Sequence, residues 1–424
     1  MNIFKLLKDI IYEIFYYIFK YKDYNDFIIS LIRKISEHNI IFIKIFQWTW
    51  ASNNNNTYIT PQIENEIFLF TNNTPYNESD IDYKSLLDLY KIASLNNDIF
   101  ELESTVPINS GSISLVFKAK LNKQDIIVKI LRKNINDQIK KGIDLLINLE
   151  NILYHIPIIN YYFTTKIFTN NKEHIFNQIN FINETENIVM FKNKLKKNKF
   201  ISIPNVYNQY TKLNHNLILM DYISGKYLYE LDMNDLDNFF TPFYKFIVNT
   251  IFYKKIFHCD LHQGNILFIK ENTLNVHTYK IGIIDFGMIT QLNTNEIDFI
   301  FIWLNGIFNY KFYEMIEYMS NEQNISSIFE NHEQIKDCIK VLVNLYDEKK
   351  IFCKFETYEN LIGDVHLFLN LFKKFNCKIS HRYNFFILSL IPVFSVLIKL
   401  GPNINKKNIL KEILDKIQPS DLLD

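Results

Sequence analysis

Two strings near the middle of the chain constrain its fold more than anything else in it: His258-Cys-Asp-Leu-His-Gln-Gly-Asn265 and Ile283-Ile-Asp-Phe-Gly287. Around them, ILFI and KIGIIDFG read as two short strands bracketing a Lys-Glu-Asn-Thr turn. Asp260 and Asp285 stand 25 residues apart, and Asn265 follows the first acid by five.

The surrounding texture supplies the frame. SISLVFKAKL and DIIVKIL are short β-branched runs joined at Asn122 to Gln124, a hairpin pattern, and Asn216 to Tyr222 is a further apolar strand broken by Ser224 and Gly225. Residues 1 to about 100 read as helices, with apolar residues at helical spacing through Phe27 to Trp50 and Leu86 to Leu102 around an Asn-rich stretch. Helices dominate again towards the end. The pattern predicts an α+β chain: a helical extension over 1–100, a small mostly-β lobe over 101–223 and a larger helical lobe over 224–424.

Phosphoryl transfer accounts for both strings at once. In that chemistry a loop Asp accepts or orients the attacking hydroxyl, an Asn five residues on holds magnesium, and the Asp of a D-F-G run supplies the second metal ligand. Asp260, Asn265 and Asp285 fit those roles in a two-lobed, protein-kinase-like fold. The competing reading makes His258, Asp260 and His262 a metal-ligand cluster of alternating residues on an extended segment. It leaves Asn265 and Asp285 without a part.

The same chemistry needs a strand lysine for the phosphates of ATP, and Lys129 in IIVKI fits. Upstream, Ile108-Asn-Ser-Gly-Ser-Ile-Ser-Leu-Val116 offers one glycine, Gly111, among small residues that permit close backbone approach. Gly111 and Ser112 are the candidate phosphate-covering positions. A helical acid must hold Lys129. Glu184 and Glu186 both qualify, and two residues apart they point to different faces. Leu219 to Ile223 falls where an inter-lobe hinge belongs. There Met220 would back the adenine and the backbone of Asp221 and Ile223 would bond its edge, unless the segment is a plain core strand.

Composition bounds the rest. Lys plus Arg equals Asp plus Glu at 46 each, so there is no electrostatic case for a nucleic-acid partner. The mixed basic run from Lys192 to Lys199 reads as a solvated loop. Cys259, Cys338, Cys353 and Cys377 lack CxxC spacing, which suggests neither zinc nor disulfides and makes a reducing compartment the default. The first twenty residues read as a helix whose face, Ile3, Leu6, Leu7, Ile10, Ile14 and Tyr17, fits packing on the chain or lying on a membrane surface, the former being favoured. Phe385 to Ile398, with Pro392 inside it, falls short of a bilayer span and reads as a buried helix.

From about residue 40 onward these residues resemble the UbiB-type atypical kinases, also called the aarF-domain or ABC1 family. HCDLHQGNILF is similar to the family's H-x-D-x-H-x-G-N form, and PINSGSISLVFKA to its small-residue loop, with Leu115 in place of the usual Gln. The family's K-x-G-Q motif has its counterpart at Lys44-Ile-Phe-Gln47, so Lys44 and Gln47 carry over as regulatory positions while Phe46 replaces the glycine. Its E-x-D motif appears as Gln178-Ile-Asn180, and Glu184 rather than Glu186 matches the acid that follows. The resemblance implies binding of ATP and magnesium, with hydrolysis or transfer to an unidentified protein or small-molecule acceptor. It also implies membrane or isoprenoid-lipid association at an intracellular, membrane-peripheral place. Two other functions compete: a nucleotide-switched, pseudokinase-like lipid- or protein-binding module, and a small-molecule kinase of the aminoglycoside or choline type.

Overall fold

The computed structural model describes residues 3–43, 73–154, 176–273, 276–309, 311–331, 335–351 and 374–401, with scattered positions between those segments. The small lobe is organised by a turn that the sequence dictates locally. Asn122 and Lys123 both adopt left-handed φ, 52° and 69°, forming the two-residue loop whose twist suits a hairpin. It joins β3 (Ser114–Leu121) to β4 (Gln124–Leu131) and sets Val116 opposite Lys129. Strands β1 (Phe100–Leu102) and β2 (Asn109–Ser110) pair with β3, and β6 (Leu217–Asp221) pairs with β4, all antiparallel.

Alternation along these strands separates two functions. Leu115, Phe117 and Ala119 share one face with Ile126, Val128 and Ile130 and are covered by Leu86, Leu89 and Ile92 of α3 (Tyr83–Leu95). Lys129 projects from the other face, toward the large lobe, where it meets Asp285.

The extension begins with α1 (Ile3–Ile18) and α2 (Tyr24–His38). Leu6 packs, as expected of that face, against Ile41, Phe42 and the Ile135, Ile139 and Ile143 stripe of α4 (Ile135–Tyr154), with Ile10 beside it. Tyr17 stacks on Phe27 at 4.6 Å. The rest of the expected face divides differently: Leu7 is 39% and Ile14 40% exposed. The inward arc includes Glu13, buried and paired with Lys22 at 2.6 Å, and this rotates the helix away from Leu7 and Ile14.

In the large lobe, α7 (Met233–Val248) drives Phe239, Phe240, Phe243 and Phe246 into the core. Against it lies a sheet of β8 (Ile266–Thr273) and β9 (Val276–Ile283), with β5 (Ile201–Ser202) parallel to β9. A second pair, β7 (Ile256–His258) with β10 (Ile289–Gln291), flanks the site. Helices α5 (Phe181–Leu195) and α6 (Asn208–Leu213) lie between β4 and β6 in sequence. Helices α8 (Thr294–Phe308), α9 (Phe312–Ser320), α10 (Glu322–Ile328), α11 (Ile335–Asp347) and α12 (His381–Lys399) follow, with a small β11 (Phe329–Asn331) and β12 (Lys378–Ile379) pair.

The Lys-Glu-Asn-Thr segment is a correction to the sequence reading. It lies within β8, with Lys270 opposite Tyr279 and Glu271 opposite Thr278. Ion pairs from Glu271 to Lys280 at 2.6 Å and from Lys270 to Asp235 at 2.9 Å give these polar residues partners along the strand. The apolar run with Pro392 is part of α12, its Phe386, Ile387, Val393 and Val396 buried. Among the described residues no helix is long and apolar enough to cross a membrane.

Gly142 on α4 is where the extension comes closest. A Cβ there would meet Asn39 Oδ1 at 2.6 Å and Ile41 Cγ2 at 2.7 Å, while Asn39 donates to the Gln138 carbonyl at 2.8 Å. Gly142→Ala should destabilise the chain by roughly 1–3 kcal/mol in urea unfolding, although Ala is the better helix former by about 1 kcal/mol. A neutral or stabilising result would contradict this docking.

Candidate active site

Lys129 leaves β4 on the cleft side and is held from two directions. Its Nζ donates to Glu184 Oε1 at 2.7 Å and to Asp285 Oδ2 at 3.2 Å. Burial lowers the ammonium's pKa, but the charges and hydrogen bonds of Asp285 and Glu184 outweigh it and hold the proton on Lys129. Burial pushes the Glu184 carboxyl up, opposed by Lys129 and reinforced by Asp285. The choice between the two helical acids is resolved by phase: Glu184 is 2% exposed, whereas Glu186 lies on the solvent side of α5.

Asp285 follows β9, and the residues after it lock it in place. Gly287 N–H donates to its Oδ1 at 3.0 Å. Phe286 is fully buried, edge-on to Phe191 of α5 at 5.4 Å, and its carbonyl accepts from Asn187 at 2.9 Å. One helix therefore carries both the partner of Lys129 and the packing that sets Asp285.

His258 works from beneath. Its Nδ1 accepts the Asp260 N–H at 3.3 Å, which leaves the proton on Nε2, donated to the Asp285 carbonyl at 2.7 Å. Burial lowers its pKa, against the pull of Asp285 and Asp260, so the ring is neutral. With both nitrogens engaged by backbone, His258 is a brace between the two loops. The alternating metal cluster loses a ligand, and no group of three or more His, Cys, Asp or Glu suited to a metal occurs among the described residues.

Asn265 donates through Nδ2 to the Asp260 carbonyl at 2.9 Å, which orients its Oδ1 as the remaining acceptor. Asn265 and Asp285 thus offer hard oxygen donors of the kind magnesium takes while keeping water and phosphate oxygens in its shell. Asp260 is 7% exposed, and Gln178 donates to its Oδ2 at 3.4 Å.

The turn at Gly111 and Ser112 closes β2 onto β3, with Gly111 N–H bonded to the Ser114 carbonyl at 2.9 Å. At the hinge, Met220 is buried in the cluster that contains Ile127, Ile188 and Phe286. The N–H of Asp221 donates to the Asn205 carbonyl at 2.9 Å and its carboxylate accepts from Tyr207 at 3.0 Å and Gln124 at 3.1 Å, so of its backbone groups the carbonyl is the one left for a ligand. Among the described residues, the N–H of Ile223 donates to nothing. Lys44 and Gln47 lie outside the described residues, as does Cys353.

Sequence reasoning missed Tyr227, whose hydroxyl accepts from Asn109 at 3.3 Å and so ties β2 to the far side of the hinge. It treated Gln178 only as a motif departure. Its contact with Asp260 comes from chain closure, and no local pattern announces it.

The family model described as the ABC1 atypical kinase-like domain matches residues 89–319, more than half of the chain. The two-lobed arrangement, with its Lys–Glu pair and Asp-Phe-Gly acid, is protein-kinase-like. The chain belongs to the ABC1 atypical kinase-like family. It is similar to the probable protein kinase UbiB of Blochmanniella pennsylvanica, 26% identical over 228 residues, 50% of this chain and 39% of that one. It is also similar to the probable serine/threonine-protein kinase abkB of Dictyostelium discoideum, 26% identical over 279 residues, 62% of this chain and 39% of that one. The chain therefore spans about two fifths of these relatives' length. Among solved structures, the Mycobacterium tuberculosis Rv3197–erythromycin complex aligns over 78% of this chain and 85% of its own, with 13% identity and a TM-score of 0.48.

Glu184→Gln should lower stability by roughly 1–3 kcal/mol, because it removes one charge from a buried pair. Glu186→Gln should leave stability within about 0.5 kcal/mol. Equal effects in chemical denaturation would show that the pair is misassigned.

Proposed function

We propose that this chain is an ATP- and magnesium-dependent phosphotransferase or ATPase of the UbiB type. The observation that carries the reading is the contact of Lys129 with Glu184 at 2.7 Å and with Asp285 at 3.2 Å. It joins a buried pair, a strand lysine and a helical acid, to a half-buried Asp-Phe-Gly acid, the arrangement phosphoryl transfer uses.

In this reading Lys129, oriented by Glu184, binds the α and β phosphates. The turn at Gly111 and Ser112 covers them, Met220 backs the adenine, and Ile223 N–H, with the Asp221 carbonyl, bonds its edge. Asn265 and Asp285 would hold magnesium, which supplies charge neutralisation on the phosphates when bound. Asp260 accepts the proton of the attacking hydroxyl or water as its oxygen bonds the γ phosphorus. The bond from that phosphorus to the bridging oxygen breaks and ADP leaves. The acceptor is a protein or small molecule, or water. The divisions 1–100, 101–223 and 224–424 would then be the extension, the small lobe and the large lobe.

A second reading, a nucleotide-switched lipid- or protein-binding module, draws support from Gln178. Its amide donates to the carboxylate of Asp260, which weakens that group as a base.

The test is purified chain titrated with ATP and magnesium, following thermal stabilisation and phosphate release together. Wild type should be stabilised and turn over. Lys129→Ala and Asp285→Ala should lose both, and Asp260→Asn should keep binding while losing about 10²-fold or more in turnover. Binding with unchanged turnover in Asp260→Asn would overturn the enzyme reading, and wild-type stabilisation without turnover would favour the module.

A further inference from the structure

Arg132 stands three residues after Lys129 and has no part in the site as described so far. Its side chain is buried, at 4% exposure, and every one of its N–H donors is used. Nε donates to the Gly111 carbonyl at 3.1 Å. One terminal nitrogen donates to the Pro75 carbonyl at 3.2 Å and to Asp80 Oδ2 at 3.0 Å. The other donates to the Thr74 carbonyl at 3.2 Å and to Ser110 Oγ at 2.8 Å. The backbone N–H of Arg132 adds a bond to the Ile113 carbonyl at 2.9 Å. The two carbonyls that flank Ser112 in sequence are thus both held by one residue.

The consequence follows from peptide geometry. In a trans peptide the N–H points opposite to the C=O, so a Gly111 carbonyl aimed at Arg132 sends the Ser112 N–H the other way. Arg132 continues the phase of Ile126, Val128 and Ile130, on the face covered by α3, where Asp80 lies just before that helix. Lys129 occupies the opposite face. The Ser112 N–H, which has no acceptor among the described residues, is therefore presented on the Lys129 side.

We propose that Arg132, anchored by Asp80, is a positioning residue that sets the Gly111–Ser112 turn so that its backbone amide meets the phosphates of a nucleotide bound at Lys129. This rests on the nucleotide reading of the site. The clamp also ties residues 74–80, the segment that leads into the small lobe, to the phosphate-covering turn. Lysine cannot replace it, since an ammonium lacks the planar fork that reaches these acceptors at once.

The experiment measures Kd for Mg·ATP by calorimetry and for adenosine by ligand-observed NMR, with Tm as the check on folding. It compares wild type, Arg132→Lys and the milder Asp80→Asn. The expected result is a loss of about tenfold in Mg·ATP affinity for Arg132→Lys and about threefold for Asp80→Asn, with adenosine affinity unchanged in both. Parallel weakening of both ligands would mean general damage to the lobe and would overturn the proposal, as would unchanged Mg·ATP binding. Should Arg132→Lys fail to fold, Asp80→Asn decides by the same criterion. A wild type that binds no Mg·ATP would bring down the nucleotide reading and the clamp together, whereas a wild type and variants that bind alike would bring down the clamp alone.

Discussion

One ammonium facing two carboxylates in a buried cleft is the constraint from which the rest of the site follows. Lys129 alone would be driven neutral by burial, and Glu184 alone would be driven protonated. Together they keep the lysine charged. When both acids are ionised the cluster carries one excess negative charge, set beside a cleft where Asn265 adds a further oxygen. A divalent cation bridging to phosphate would balance that excess, with Lys129 free to exchange its Asp285 contact for a phosphate oxygen.

Such a cluster needs three chain segments fixed independently, and the fold supplies a separate device for each. The hairpin turn at Asn122 and Lys123 fixes the register of β4 and so the face from which Lys129 emerges. Helix α5 presents Glu184 in its first turn and grips Phe286 with Phe191 and Asn187 farther along. Neutral His258 bolts the Asp260 loop to the Asp285 backbone, a use of imidazole as a two-ended backbone connector in which protonation would remove the acceptor end.

Much of this was legible in the sequence because it is local. The spacing of Asp260, Asn265 and Asp285, the strand around Lys129 and the hairpin each depend on a few neighbouring residues, and α+β with a small lobe before a large one follows from their order. Helix pattern alone narrowed the helical acid to Glu184 or Glu186, since an isolated helix does not reveal which side faces the strand, and only the family resemblance favoured Glu184. Features that arise from chain closure were not legible. Asn205 reaches Asp221 across 16 residues and takes the hinge amide, Gln178 reaches Asp260 across 82, and Arg132 gathers acceptors from residues 74 to 111. The Lys-Glu-Asn-Thr segment misled because its polarity suits a turn, whereas the β8–β9 ladder continues through it, with Glu271 paired to Lys280 across the strands and Lys270 to Asp235 of α7.

The most direct measurement of the central claim, that Lys129, Asn265 and Asp285 form a metal–nucleotide site, is water-proton relaxation of manganese with ATP titrated with the chain. Manganese stands in for magnesium, and its relaxation effect rises when it is held on a slowly tumbling protein. The account predicts an enhancement that needs ATP, saturates at one site per chain and disappears in Asn265→Ala as in Asp285→Ala. No ATP-dependent enhancement in wild type, or the same enhancement in both variants, would contradict it.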